Sequence, residues 1–81
     1  MKLQKINIAD IYVPAALRRP IDDAKVQALA ESIAETGQTS PILVRADTAR
    51  YVLVEGLHRI EACKALGETT ILASLVQPRK H

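Results

Sequence analysis

The sequence predicts a small α+β domain: two main helices and a small mixed sheet of about four strands. Three observations carry that expectation. Residues 22–37 place apolar side chains at helical spacing between a capping residue and a glycine. Two short apolar runs joined by a polar link follow them, as in a hairpin. A second helical stretch then leads into a last apolar run. The order strand, helix, hairpin, helix, strand suits helices packed on one sheet.

Each element has its own signal. Leu3, Ile6 and Ile8 mark a first or edge strand. Asp10-Ile11-Tyr12-Val13-Pro14 reads as a turn, and Pro14 to Pro20, closed by proline at both ends, as a loop. Val26, Leu29, Ala30 and Ile33 recur at i, i+3, i+4 and i+7, one face of an amphipathic helix. Asp22 is its expected N-cap and Gly37 its expected stop. Pro41 to Arg45 and Tyr51 to Glu55 read as strands, linked by Ala46-Asp-Thr-Ala-Arg50. Gly56 breaks the second of them. A helix from about Leu57 to Leu66 follows, stopped by Gly67, with Ile60, Cys63 and Leu66 stepping by three. Thr70 to Val76 is the closing strand, and residues 77–81 read as a frayed polar tail.

The 81 residues make one domain, 1–81, with no internal repeat or linker. A chain this short buries about 60% of its unfolded surface, so its core is modest. Hydrophobic residues at 48% and charged residues at 25% exclude a disordered tail. A net charge of +2 is too slight to force a nucleic-acid reading. With no Trp, no Phe and two Tyr, a platform stacking successive bases is not expected. The single cysteine, Cys63, excludes an internal disulfide, and no ligand spacing suggests zinc. The first residues lack the apolar core of a signal peptide, and no apolar run approaches the ~18 residues of a membrane span. A cytoplasmic, reducing environment is expected.

The most informative junction is Val54-Glu55-Gly56-Leu57-His58-Arg59. A strand ends, a glycine turns the backbone and a helix begins. The first turn of a helix offers unpaired N–H donors and the positive end of its dipole, which suits phosphate. His58 and Arg59 lie in that turn, and an arginine grips phosphate with two parallel hydrogen bonds. The plainer account is that Gly56 is a turn glycine and Arg59 pairs with Glu55 or Glu61 at the surface. On the first helix, Lys25, Ser32 and Thr36 fall along one flank of the core stripe and could line a cleft. An ordinary polar boundary explains them equally. Cys63 lies far from the start of its helix and reads as a buried, inert thiol. The carboxylates Asp22, Asp23, Asp47, Glu55 and Glu61 are scattered and show no two-metal spacing.

Taken in order, these residues resemble the small domain shared by ParB-type partition proteins and sulfiredoxins. The resemblance runs from Asp23-Ala-Lys25-Val-Gln27 through Leu29, Ser32-Ile33, Gly37 and Pro41-Ile42. It continues with Gly56-Leu-His58-Arg59-Ile-Glu-Ala62 and Leu66-Gly67, so it covers nearly the whole chain. It implies the ParB/sulfiredoxin-like fold and a nucleotide site. In sulfiredoxin-like proteins the Gly-x-His-Arg turn, with a lysine and a hydroxyl of the first helix, holds ATP phosphates. By position these are Gly56, His58, Arg59, Lys25 and Ser32. In ParB proteins the equivalent turn binds CTP, helped by a segment matching Gly37 to Ile42. This chain also departs from the families. Leu57 stands where sulfiredoxins carry their catalytic cysteine and where ParB proteins carry a glutamate, so sulfiredoxin chemistry is not expected. The loop from Val13 to Pro20 lacks the glutamate base of the family's free-serine kinase.

The reading this leaves first is a nucleotide-binding module for ATP or CTP, with Mg²⁺ accompanying the phosphates and no protein metal ligand assigned. Its role would be regulatory, in the setting of plasmid partition or mobile elements. A small phosphotransferase or NTPase using the same site is the second reading, with no base or nucleophile visible. The third is an adaptor for DNA or a partition or regulatory protein that has lost nucleotide chemistry. Small chains often oligomerise to enlarge the core, so a homodimer stays open.

Overall fold

The computed structural model describes residues 2–18 and 20–76. It contains five strands and two α-helices: β1 (Lys2–Asn7), β2 (Ile11–Tyr12), α1 (Asp23–Thr36), β3 (Ile42–Ala46), β4 (Tyr51–Glu55), α2 (Leu57–Ala65) and β5 (Thr70–Leu75). Short 3-10 turns fill Ile8–Asp10 and Ala15–Leu17. The strand order is β1-β5-β3-β4-β2. β1 and β5 are antiparallel, β5 and β3 parallel, β3 and β4 antiparallel, and β4 and β2 parallel. The α+β class and both helices stand as expected. The expected four strands become five, because Ile11 and Tyr12 pair with Tyr51 and Val52 rather than merely turning the chain. Two residues show no alternation, and only the pairing with β4 identifies them as a strand. The tail at 77–81 and Arg19 lie outside the described residues.

Alternation builds the core. Ile42 and Val44 on β3, Leu53 on β4, Ile71 and Ala73 on β5 and Ile6 on β1 are buried together with Ile60 and Cys63 of α2. Fully burying a large aliphatic side chain stabilises by roughly 1.5–3 kcal/mol, and Ile42, Leu53, Ile60, Ile71 and Val44 are the largest side chains so enclosed. The Gln4 side-chain amide on β1 donates to the Tyr51 hydroxyl on β4 at 3.2 Å, although β5 and β3 lie between those strands. The sheet is therefore strongly curled, with its concave side enclosing the core.

Asp22 caps α1, its carboxylate accepting from the N–H groups of Ala24 and Lys25 at 3.0 and 3.3 Å. At the other end the Gly37 N–H donates to the Ile33 carbonyl at 2.8 Å. The helix is not laid on the sheet, however; it packs chiefly on α2. No α1 residue is fully buried, and Val26, Leu29, Ala30 and Ile33 are only half-buried. The stripe expected to face the core reaches it at Ile33 and otherwise faces another helix.

α1 and α2 run side by side in broadly the same direction. Asp22 and His58 meet at one end. At the other, Ile33 and Gly37 share a cavity of about 300 Å³ with Cys63 and Glu68. Both helix N-termini thus lie at one pole of the domain.

The polar link between β3 and β4 forms the expected hairpin. The Asp47 N–H donates to the Arg50 carbonyl at 2.9 Å, and the Thr48 N–H donates to the Asp47 carboxylate at 2.8 Å. That backbone hydrogen bond, helped by the Arg50 guanidinium, holds the Asp47 carboxyl below its ordinary range. Arg50 also lies over the Tyr12 ring, 4.1 Å from its centroid, joining the hairpin to the β2 edge.

Candidate functional site

Gly56 sets the geometry of the site. It lies between β4 and α2 with φ 123° and ψ 28°, a conformation side-chain-bearing residues rarely adopt. A Cβ there would fall 2.5 Å from Ile42 Cγ2 and 2.8 Å from Ile42 Cβ. Gly56 is therefore more than a turn residue. It lets α2 start hard against the first residue of β3.

α2 begins without a side-chain cap. Its first intrahelical bond runs from the Ile60 N–H to the Gly56 carbonyl at 3.0 Å. The N–H groups of Leu57, His58 and Arg59 precede it and have no partner within the helix. This end thus keeps both its donors and its dipole available, whereas α1 spends its own end on the Asp22 carboxylate.

Arg59 is half-buried in the first turn. The ion pairs of the described residues join Arg50 to Asp47 and Lys64 to Glu61, and neither engages Arg59. Pairing of Arg59 with Glu55 or Glu61 is therefore not what the fold uses. His58 is also half-buried, and its Nε2 accepts the Asp22 backbone N–H at 3.2 Å. With Nε2 as acceptor, the neutral ring carries its proton on Nδ1. No local signal marks this bond, which joins residues 36 apart.

Lys25 is exposed on the first turn of α1, beside this pole. Ser32 is exposed two turns further along the same flank, about 10 Å on at 1.5 Å per residue. The Thr36 hydroxyl turns inward to its own helix and donates to the Ser32 carbonyl at 2.9 Å. Gly56, His58, Arg59 and Lys25 are thus brought to one end, and Ser32 lies at the far half of α1. Beside Gly56 and His58 is a hollow of about 360 Å³ with apolar walls from Leu17, Leu53, Val54 and Leu57 and one carboxylate, Glu55, on its rim. Leu57 presents no nucleophilic atom there, and its side chain packs against the core.

Gln38 is a second residue whose role has no local signal. Its Oε1 accepts the Leu72 N–H at 2.7 Å, and its Nε2 donates to the Leu72 and Ser40 carbonyls at 2.8 and 2.9 Å. The β3–β5 pairing begins one residue later, at Ile42 and Ala73. The Gln38 amide therefore supplies the missing rung and fixes the loop that delivers Ile42 to Gly56.

Cys63 is 2% exposed. Burial first, and then Glu68, push its thiol above the ordinary range, opposed by Arg59. The expected burial of this thiol stands. Iodoacetamide should label folded protein at neutral pH at least ten times more slowly than urea-unfolded protein, because only an exposed thiolate reacts. Equal rates would contradict this burial. Among the described residues no three His, Cys, Asp or Glu side chains are grouped to hold a metal, and no helix is long and apolar enough to cross a membrane.

The fold that carries this site, a curled mixed sheet with two helices, is that of the ParB/sulfiredoxin superfamily. The chain belongs to the ParB N-terminal domain family, whose model matches residues 1–81. A probable chromosome-partitioning protein ParB of Campylobacter jejuni is 38% identical over 60 residues, 74% of this chain but only 22% of that protein. Sulfiredoxin from Arabidopsis thaliana superposes with a TM-score of 0.88 at 29% identity, covering 96% of this chain and 88% of its own. The C-terminally truncated partition protein ParB of Caulobacter crescentus, in complex with CTP-γ-S, superposes with a TM-score of 0.80 at 29% identity. That match covers 98% of this chain and 46% of the other. The chain thus spans about a fifth of the curated relative and about half of the solved partition protein.

Proposed function

We propose that this domain binds a nucleoside triphosphate, ATP or CTP, in a regulatory role related to partition proteins. The phosphates lie at the N-terminus of α2, on the free N–H groups that follow Gly56. Arg59 grips them, His58 donates through Nδ1, and Lys25 and Ser32 approach from α1 at two points along the ligand. Mg²⁺ arrives with the phosphates rather than on a protein carboxylate cluster. The hollow beside Leu17 and Leu57 is open to the rest of the nucleotide.

The observation that carries this reading is Arg59: a half-buried guanidinium beside an uncapped helix start, engaged in no ion pair among the described residues. A buried or half-buried cation without a partner is costly, and a phosphate would satisfy both it and the helix end. The CTP-γ-S complex of a 29% identical partition protein supports the same ligand class. The geometry favours binding over catalysis, since Leu57 offers no nucleophile and, among the described residues, Glu55 is the one carboxylate lining the hollow.

Calorimetric titration of ATP, CTP, GTP and ADP, each with and without Mg²⁺, tests the reading. Arg59→Ala should weaken binding at least ten-fold, since a charge-assisted hydrogen bond contributes about 1.5–3 kcal/mol. Its melting temperature should barely change. Equal affinity in the variant would refute the site.

A further inference from the structure

We infer that His58 is a positioning residue that docks the start of α1 and so couples the placement of Lys25 to occupancy of the anion site. The inference rests on the proposed nucleotide reading and adds to it a regulated element. Its basis is the bond from the Asp22 N–H to His58 Nε2 at 3.2 Å, which joins the first turns of the two helices.

Burial anchors α1 less than it anchors α2, which buries Ile60, Ala62 and Cys63. None of its residues is fully buried, and it packs chiefly on α2. Elements with few buried apolar side chains open at low cost. Its cap is self-contained: the Asp22 carboxylate serves the Ala24 and Lys25 N–H groups and reaches nothing outside the helix. What ties this cap to the rest of the molecule is the Asp22 N–H, and the atom that receives it belongs to the turn proposed to hold the phosphates.

The imidazole has two faces of opposite character in this arrangement. Nε2 is committed as an acceptor to Asp22, which leaves the proton on Nδ1 as the donor for a ligand oxygen. One side chain therefore bridges α1 and the anion. An anion that fixes the ring through Nδ1 also fixes Nε2, which holds Asp22, and Lys25 follows three residues later. Binding and docking of α1 then reinforce each other, and by linkage the reinforcement is mutual.

Two substitutions separate the two nitrogens. His58→Gln puts an acceptor near the Nε2 position and removes the Nδ1 donor. His58→Asn keeps a donor near the Nδ1 position and cannot reach Asp22. Amide exchange along α1 is measured for wild type and both variants, free and with ATP, CTP or inorganic tripolyphosphate. In the free protein, His58→Asn should exchange about five-fold faster from Asp22 through Val26, the equivalent of one lost hydrogen bond, while His58→Gln stays near wild type. Added tripolyphosphate or nucleotide should slow α1 exchange in wild type and leave it unchanged in His58→Asn. Unchanged exchange in free His58→Asn would overturn the docking role whatever binds. Faster exchange in His58→Asn together with ligand protection equal to wild type would overturn the coupling. If wild type binds none of the three ligands by calorimetry, the proposed function fails and the coupling to a ligand fails with it, while the free-protein comparison still decides the docking bond.

Discussion

Gly56→Ala is expected to cost the domain about 2–6 kcal/mol, the sum of two independent penalties. A residue other than glycine held at an unfavourable backbone conformation costs about 1–3 kcal/mol, and Gly56 has φ 123°. Forcing extra volume into a packed site costs about 1–3 kcal/mol more, and the new Cβ would meet Ile42 Cγ2 at 2.5 Å and Ile42 Cβ at 2.8 Å. Ile42 is 1% exposed at the centre of the core and has little room to yield. Domains are typically stable by only about 0.05–0.15 kcal/mol per residue, so the loss is a large share of the whole. Gly67→Ala is the control. Gly67 has φ 77°, but a Cβ there would meet nothing within 4 Å, so only the backbone penalty applies. Urea unfolding of both variants measures the difference. A Gly56→Ala loss no larger than that of Gly67→Ala would show that β3 and α2 are not in the close contact described.

Gln38→Ala should be the next most damaging change away from the hydrophobic core. The wild-type amide satisfies both the N–H and the C=O of Leu72 and also the Ser40 carbonyl. Leaving a buried polar group without a partner costs about 1–3 kcal/mol. With two Leu72 groups stranded in a partly buried setting, about 2–4 kcal/mol is expected. Gln38→Glu keeps the acceptor for the Leu72 N–H but sets a carboxylate oxygen against the Leu72 and Ser40 carbonyls, so at neutral pH it should be no more stable than Gln38→Ala. The Leu72 amide should exchange faster in Gln38→Ala than in wild type. A stability loss below 0.5 kcal/mol would mean that water replaces the side chain without penalty.

These two residues show what was legible in the sequence. Gly56 could be read because a strand ending in glycine before a helical run is a local signal. Its neighbours His58 and Arg59 came with it, and Asp22 and Gly37 marked the ends of α1 in the same local way. Gln38 could not be read, because its partner Leu72 is 34 residues away and nothing in its surroundings distinguishes it from a loop glutamine. The His58 bond to Asp22 was hidden for the same reason. β2 escaped because two residues carry no period, and the curl that brings Gln4 to Tyr51 is a property of the whole sheet. The apolar stripe of α1 was read correctly as a stripe, yet its period could not say whether a sheet or another helix would receive it. Periodicity finds elements, and non-local hydrogen bonds decide how they meet.

The side-by-side course of the two helices has a consequence for encounter kinetics. The uncapped α2 places the positive end of its dipole at the pole that carries Lys25 and Arg59, the Asp22 and Asp23 carboxylates offset that of α1, and both negative ends lie toward Glu68. The net charge of +2 says little about this separation of charge. A polyanion approaching through dilute salt would feel this pole as a local dipole, Lys25, Arg59 and the α2 start set against Asp22, Asp23 and Glu55, and would turn the α2 start toward itself only at close range. The association rate would then fall with ionic strength more steeply than the net charge suggests, and the domain would spend fewer collisions in the wrong orientation.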